Sequence, residues 1–159
     1  MPKYRSLSPE ELTELRPEFV DYLIVNGIAA EDWEKMLENE PEESGKVIDL
    51  FSDVVFEGVM RKVKFLEIRS KSDIKVFQCL ENQLVLVGMT CNDPNADFTD
   101  SNYLHSAMLT PPEGLKVYTT TKPYEKTREL EIFEMTEKGC LITDGQLFTS
   151  MSMALPALD

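Results

Sequence analysis

The hydrophobic pattern of this chain changes character near residue 70. Before that point apolar side chains recur three and four residues apart, which is one face of a helix. Beyond it they mostly alternate or run on, which is the habit of strands. A segment written in one period does not settle into the other structure. The chain is therefore expected to build helices first and strands afterwards. The expected class is α+β, with N-terminal helices packed on a small, mainly antiparallel sheet with interleaved helices.

Local signals place the elements. Ser8, Pro9, Glu10 and Glu11 form a helix start, with Ser8 as cap, Pro9 in the first turn and Glu11 closing a capping box. Pro17 kinks or restarts that helix, and Phe19, Val20, Leu23 and Ile24 carry its stripe to the stop at Asn26 and Gly27. A second helix is expected over about 30–38, with Trp33 and Leu37 one turn apart. The third and longest starts near Pro41, where Glu42 and Glu43 sit at the positive end of its dipole. Its stripe is Phe51, Val55, Val59 and Val63, widened by Phe56 and Met60. Val63, Phe65, Leu66 and Ile68 fit neither period cleanly, and 63–68 is read as a continuation of this helix.

In the second half, 74–79 and 83–90 read as strands joined by a turn. Leu84, Val85, Leu86 and Val87 are apolar at both parities, as in a strand covered on both faces. A polar loop over 92–102 leads to a short helix at about 101–109, then a half-exposed strand at 115–121 and a helix at about 127–138. Asp144 and Gly145, between 140–143 and 146–149, predict a two-residue hairpin. The length of 159 residues suits a single domain, 1–159. It would comprise a helical half to about 69, a strand-rich half to about 150, and an apolar tail, 151–159, that packs back or meets another subunit.

The formal net charge of −13 argues against DNA or RNA as a partner, because phosphate binding needs clustered Lys and Arg. It also disfavours an anionic membrane surface. No apolar run approaches a membrane span, and the first residues lack the apolar core of a secretion signal. Cys79, Cys91 and Cys140 are odd in number and widely spaced, which suits small core residues in a reducing compartment. A cytoplasmic protein is expected. Residues 1–40 hold ten acids against four bases. The order reverses over 61–75, where Arg61, Lys62, Lys64, Arg69, Lys71 and Lys75 face only Glu67 and Asp73. These bases are read as neutralising the end of a helix, with a small anion-binding patch as the other reading.

Little in the sequence points to chemistry. His105 is the one histidine and has no partner motif around it. No glycine-rich phosphate loop is present, so no cofactor is expected. Asp93, Asn95 and Asp97 match the first three side-chain ligands of a calcium loop, and Ser101 falls at the ninth position. Phe98 stands where that loop needs Gly, and Leu104 where it needs a closing Glu. A structural turn rich in Asx caps is the favoured reading of these residues. Trp33 and Tyr22 are candidates for lining a pocket, or for the rim of the core.

Five segments together resemble an uncharacterised family of small acidic bacterial proteins, a domain of unknown function. They are Lys3-Tyr4-Arg5-Ser6-Leu7, Ala30-Glu31-Asp32-Trp33, Leu50-Phe51-Ser52-Asp53-Val54-Val55, Lys64-Phe65-Leu66-Glu67 and Lys138-Gly139-Cys140-Leu141-Ile142-Thr143-Asp144-Gly145. The resemblance implies a self-contained domain with its long helix near Leu50, and no activity. The expected function is a non-enzymatic interaction module for a protein partner or a second copy. The alternative is a carboxylate-using enzyme or small-molecule binder with a pocket between helices and sheet.

Overall fold

The computed structural model describes residues 2–158, with side chains as far as Leu155. The end of the expected tail, the side chains of 156–158 and all of Asp159, lies outside the described residues. Seven helices and a five-stranded antiparallel sheet are described, an α+β fold with its helices leading. The chain divides into two compact units, Met1–Arg61 and Lys62–Asp159.

The first unit is helical: α1 (Pro9–Glu14), α2 (Arg16–Val25), α3 (Ala30–Asn39) and α4 (Pro41–Lys62). The capping box of α1 forms in both directions. The Glu11 amide donates to Ser8 Oγ (3.2 Å), and the Ser8 amide donates to Glu11 Oε1 (2.9 Å). Pro17 falls in the first turn of α2, so the chain restarts there rather than kinking. The segment before α1 is strapped along α4. The amides of Lys3 and Tyr4 donate to the two carboxylate oxygens of Asp53 (2.8 and 3.0 Å), and the Leu7 amide donates to Ser52 Oγ (2.9 Å). Ser52 itself donates to the Ile48 carbonyl (2.7 Å) and is fully buried. Ser6 and Tyr4 reach Asp49 and Glu57 with their hydroxyls. Positions 49, 52, 53 and 57 share one face of a helix, so a single face of α4 receives the whole strap.

Aromatic rings fill the middle of this unit. Phe19 meets Trp33 edge-on (5.1 Å, 78°) and Phe51 at 5.0 Å, and Tyr22 lies 5.3 Å from Phe51. The buried line of α4 is Phe51, Ser52, Phe56 and Met60, whereas Val59 is half exposed. A stripe stepping by four gains about 40° of rotation per step, so the expected Phe51–Val55–Val59 line turns outward.

The second unit holds the sheet, in the order β4-β3-β2-β1-β5, with every pairing antiparallel. Its strands are β1 (Phe65–Arg69), β2 (Asp73–Cys79), β3 (Gln83–Cys91), β4 (Leu115–Pro123) and β5 (Leu141–Thr143). Its helices are α5 (Ser101–Leu109), α6 (Arg128–Glu137) and α7 (Gln146–Leu158). One sheet face presents Ile74, Val76, Val87, Met89 and Cys91. Leu104 and Ala107 of α5, Met151 of α7, and Ala96 and Phe98 of the intervening loop complete a single core with them. Burying one such side chain contributes roughly 1.5–3 kcal/mol. α6 is pinned by Arg128, which donates to the carbonyls of Leu80 (3.1 Å), Cys79 (3.1 Å) and Val63. Tyr118 stands opposite Gly88 and lays its ring where a side chain at 88 would be, donating its hydroxyl to Asp73 (3.2 Å).

Two expectations are corrected. The segment 63–68 does not continue α4, which ends at Lys62; from Phe65 it is β1. Leu66 is fully buried there, and β1 pairs with β2 on one side and β5 on the other, so ladder bonds on both edges outweigh a marginal helical period. The expected hairpin around Asp144 and Gly145 is absent: β5 pairs with β1, and Gln146 opens α7. Asp144 Oδ1 accepts the Gln146 amide (3.1 Å), as a helix cap does. Gly145 takes φ +86°, and a Cβ there would lie 2.5 Å from the Phe65 ring. Leu147, Phe148, Met151 and Leu155 are spaced for a helix and pack on the core, so the tail belongs to α7 and folds back on its own unit.

Candidate functional site

Each unit carries a groove. In the helical unit a groove of about 550 Å³ runs between α1 and α2 on one side and α3 on the other. The stripe on α2 explains it. Phe19 and Leu23 point inward and are buried, while Val20 and Ile24, on the outer half of the same stripe, are 43% and 65% exposed. Leu12, Trp33 and Leu37 face them, and Leu37 is 48% exposed. The charged lining residues are Arg16 and Glu34. Trp33 thus does line a groove, whereas Tyr22 belongs to the aromatic cluster.

In the sheet unit a more open groove of about 740 Å³ lies over the β1 side of the sheet, between α5 and α7. Glu67 and Arg69 point into it from β1 and pair with each other (3.3 Å); their side chains are only 13% and 25% exposed. His105 reaches it from α5 and Asp144 from the cap of α7. Met108, Leu109 and Met153 form its apolar rim. Among these polar groups the sequence offers His105 as a lone candidate and Arg69 and Glu67 only as members of the 61–75 basic run. Glu67 and Arg69 alternate on one strand face, a signal hidden once 63–68 is read as helix.

The candidate cation ligands sit elsewhere. Asp93 Oδ1 accepts the Asn95 amide (2.9 Å), and Asp97 Oδ1 accepts the Thr99 amide (3.1 Å) and hydroxyl. These are two successive Asx turns, and Asp100 then caps α5 by accepting the Asn102 amide (2.9 Å). The Thr99 hydroxyl, ahead of the Thr99 amide and Lys71, holds the Asp97 carboxyl below its ordinary range. Phe98, inside the second turn, is fully buried. Among the described residues no group of three or more His, Cys, Asp or Glu side chains converges as a ligand set. The basic run is dispersed: Arg61 pairs with Glu57 (3.4 Å), Arg69 with Glu67, and Lys75 with Asp73 (3.6 Å).

Electrostatics set the remaining groups apart. Glu11 is pulled from 4.5 down to about 2, first by the Arg5 guanidinium and then by the Ser8 amide. Glu57 is lowered by the Tyr4 hydroxyl, then by Lys3 and Arg61. Burial pushes the Cys79 thiol up to about 11 and raises Cys140 as well, so both are poor nucleophiles at neutral pH. The Tyr103 hydroxyl is shut from solvent, and burial, followed by the neighbouring Cys91, raises its pKa.

Among the described residues no helix is long and apolar enough to cross a membrane. A family model described as a family of unknown function (DUF6495) matches residues 1–155. No curated protein and no solved structure matches the chain.

Proposed function

We propose, for a chain that belongs to the family of unknown function DUF6495, a role as a non-enzymatic, cytoplasmic protein-interaction module that grips its partner in the groove of the helical unit. The observation that carries this reading is the contiguous uncovered apolar surface of Val20, Ile24 and Leu37 around a formed groove. Single exposed apolar residues are ordinary, but a joined patch beside a concavity is the usual mark of an interaction surface. Three free, buried cysteines accord with a reducing compartment. The test compares affinity capture by the native chain and by an Ile24→Asp/Leu37→Asp variant of equal melting temperature. Partners held by the native chain and lost by the variant support the reading; an unchanged set of partners overturns it.

A second reading rests on the sheet-unit groove, where the sheltered Glu67–Arg69 pair, His105 and Asp144 face one opening. In that reading the groove takes a small polar ligand through its carboxylates. A thermal-shift screen of small metabolites tests it. A hit abolished by Glu67→Gln supports it, and stabilisation that survives Glu67→Gln and Asp144→Asn does not.

A further inference from the structure

We infer that the occupant of the helical-unit groove is a cationic amphipathic helix supplied by another protein, an inference that rests on the interaction reading above. The groove lies between helices, with apolar walls and few polar groups, and such a trough accepts the apolar edge of one more helix, anchored at i, i+3, i+4 and i+7. Charge then selects the partner. Beside the Ala30–Trp33–Leu37 line of α3, Glu31, Glu34 and Glu38 follow at i, i+3 and i+7, and all three are exposed. Among the described residues, ion pairs of this unit lie elsewhere, at Lys3–Glu57, Arg5–Glu11, Lys46–Glu43 and Arg61–Glu57. An apolar trough with an acidic bank along α3 complements a helix whose apolar stripe is flanked by Lys or Arg on that side.

Two other occupants fit less well. A second copy would bring together two surfaces from units that each hold fifteen acidic and six basic residues in 1–61, and like charges would oppose the contact. The chain's own apolar helix, α7, is already engaged: Met151 is fully buried in the sheet-unit core and Leu155 packs against it.

The test measures fluorescence anisotropy of three labelled peptides of about 18 residues, long enough to form a helix, against the full chain. One is a Leu/Lys amphipathic helix, one a scramble of the same composition, and one the Leu/Glu counterpart. The Leu/Lys helix is expected to bind saturably, at least about tenfold more tightly than either control, and more weakly as salt rises. Ile24→Asp/Leu37→Asp should weaken it by about tenfold or more, and Glu31→Gln/Glu34→Gln/Glu38→Gln should also weaken it while removing most of the salt dependence. These acids are exposed, so the second variant keeps its fold. Equal binding of the scramble overturns the inference as mere charge attraction. Equal binding of the Leu/Glu helix, lost in the Ile24/Leu37 variant, overturns the cationic partner and leaves the interaction reading standing. So does a concentration-dependent dimer in sedimentation that Ile24→Asp/Leu37→Asp dissolves. Absence of both peptide binding and self-association removes the inference, and capture that is likewise unaltered in the Ile24/Leu37 variant removes the reading beneath it.

Discussion

The two units close their interiors by different means. Apart from Ser52, the largest fully buried side chains all lie in the sheet unit: Phe98, Leu66, Ile74, Met89, Ile132, Met151, Val76 and Val87. Among the described residues of the helical unit the one fully buried side chain is a serine, and neither α1 nor α3 buries any residue. The sheet unit is held by apolar density, whereas the helical unit relies on aromatic contacts and on polar ties between its leading segment and α4. The lesson concerns where surface remains available. A unit that leaves the outer half of its α2 stripe uncovered beside a groove has surface to offer a partner.

The comparison can be broken by substitution. Phe98→Ala in the sheet unit should destabilise by about 3–5 kcal/mol in urea unfolding, because the ring is fully buried and packs edge-on to Tyr103. A loss below about 1 kcal/mol would mean that the loop around it is not part of a dense core. Arg128→Met should follow at about 2–3 kcal/mol, since it keeps the apolar stem and strips the carbonyls of Val63, Cys79 and Leu80 of their donor. Ser52→Ala should take about 1–2 kcal/mol from the helical unit by leaving the buried Leu7 amide unpaired, with faster proteolysis of the leading segment as a second readout.

Acid sharpens the same contrast. The depressed Glu11 contributes stability that is complete above about pH 4.5 and is lost as pH falls toward 2. Glu57, also lowered, acts in the same direction, and both carboxylates hold the leading segment. That segment should loosen on acidification, and Glu11→Gln should flatten this part of the pH profile. Trp33 is the only tryptophan and lies in the helical unit, so its fluorescence follows that unit by itself. The smallest expected effect is that of Ile24→Ala, within about 0.5 kcal/mol, because little of that side chain is buried. A larger loss would show that the groove is core rather than free surface.

Much of this architecture was legible in the sequence, and the failures share a cause. The capping box at Ser8, the restart at Pro17 and the bounds of α5 follow from local chemistry within a few residues. β1 and α7 were misread because tertiary context decides them. Leu66 becomes strand by pairing with Phe77 of β2 and Ile142 of β5, and Ile68 by pairing with Lys75 of β2. Asp144 and Gly145 have the composition of a hairpin turn, but Phe65 and the sheet face below turn the pair into a helix start. The helical groove was half legible. Phe19, Val20, Leu23 and Ile24 form a stripe wider than one contact can cover, but the sequence does not say which half stays outside. The sheet-unit groove was hidden, because Glu67 and Arg69 of β1, His105 of α5 and Asp144 ahead of α7 meet only after the sheet forms.

The placement of Met151 has a consequence for how the chain is made. Synthesis runs from the N-terminus, and the helical unit draws its strap, cap and aromatic cluster from residues that have all emerged by Arg61. The sheet unit needs a methionine from its last helix at the centre of its core. Its core therefore stays incomplete, with Ile74, Val76, Val87 and Met89 covered only in part by Phe98, Leu104 and Ala107, until translation has passed residue 151. During that interval the nascent chain is half organised and half exposed, and the exposed half is the one that will later be the denser.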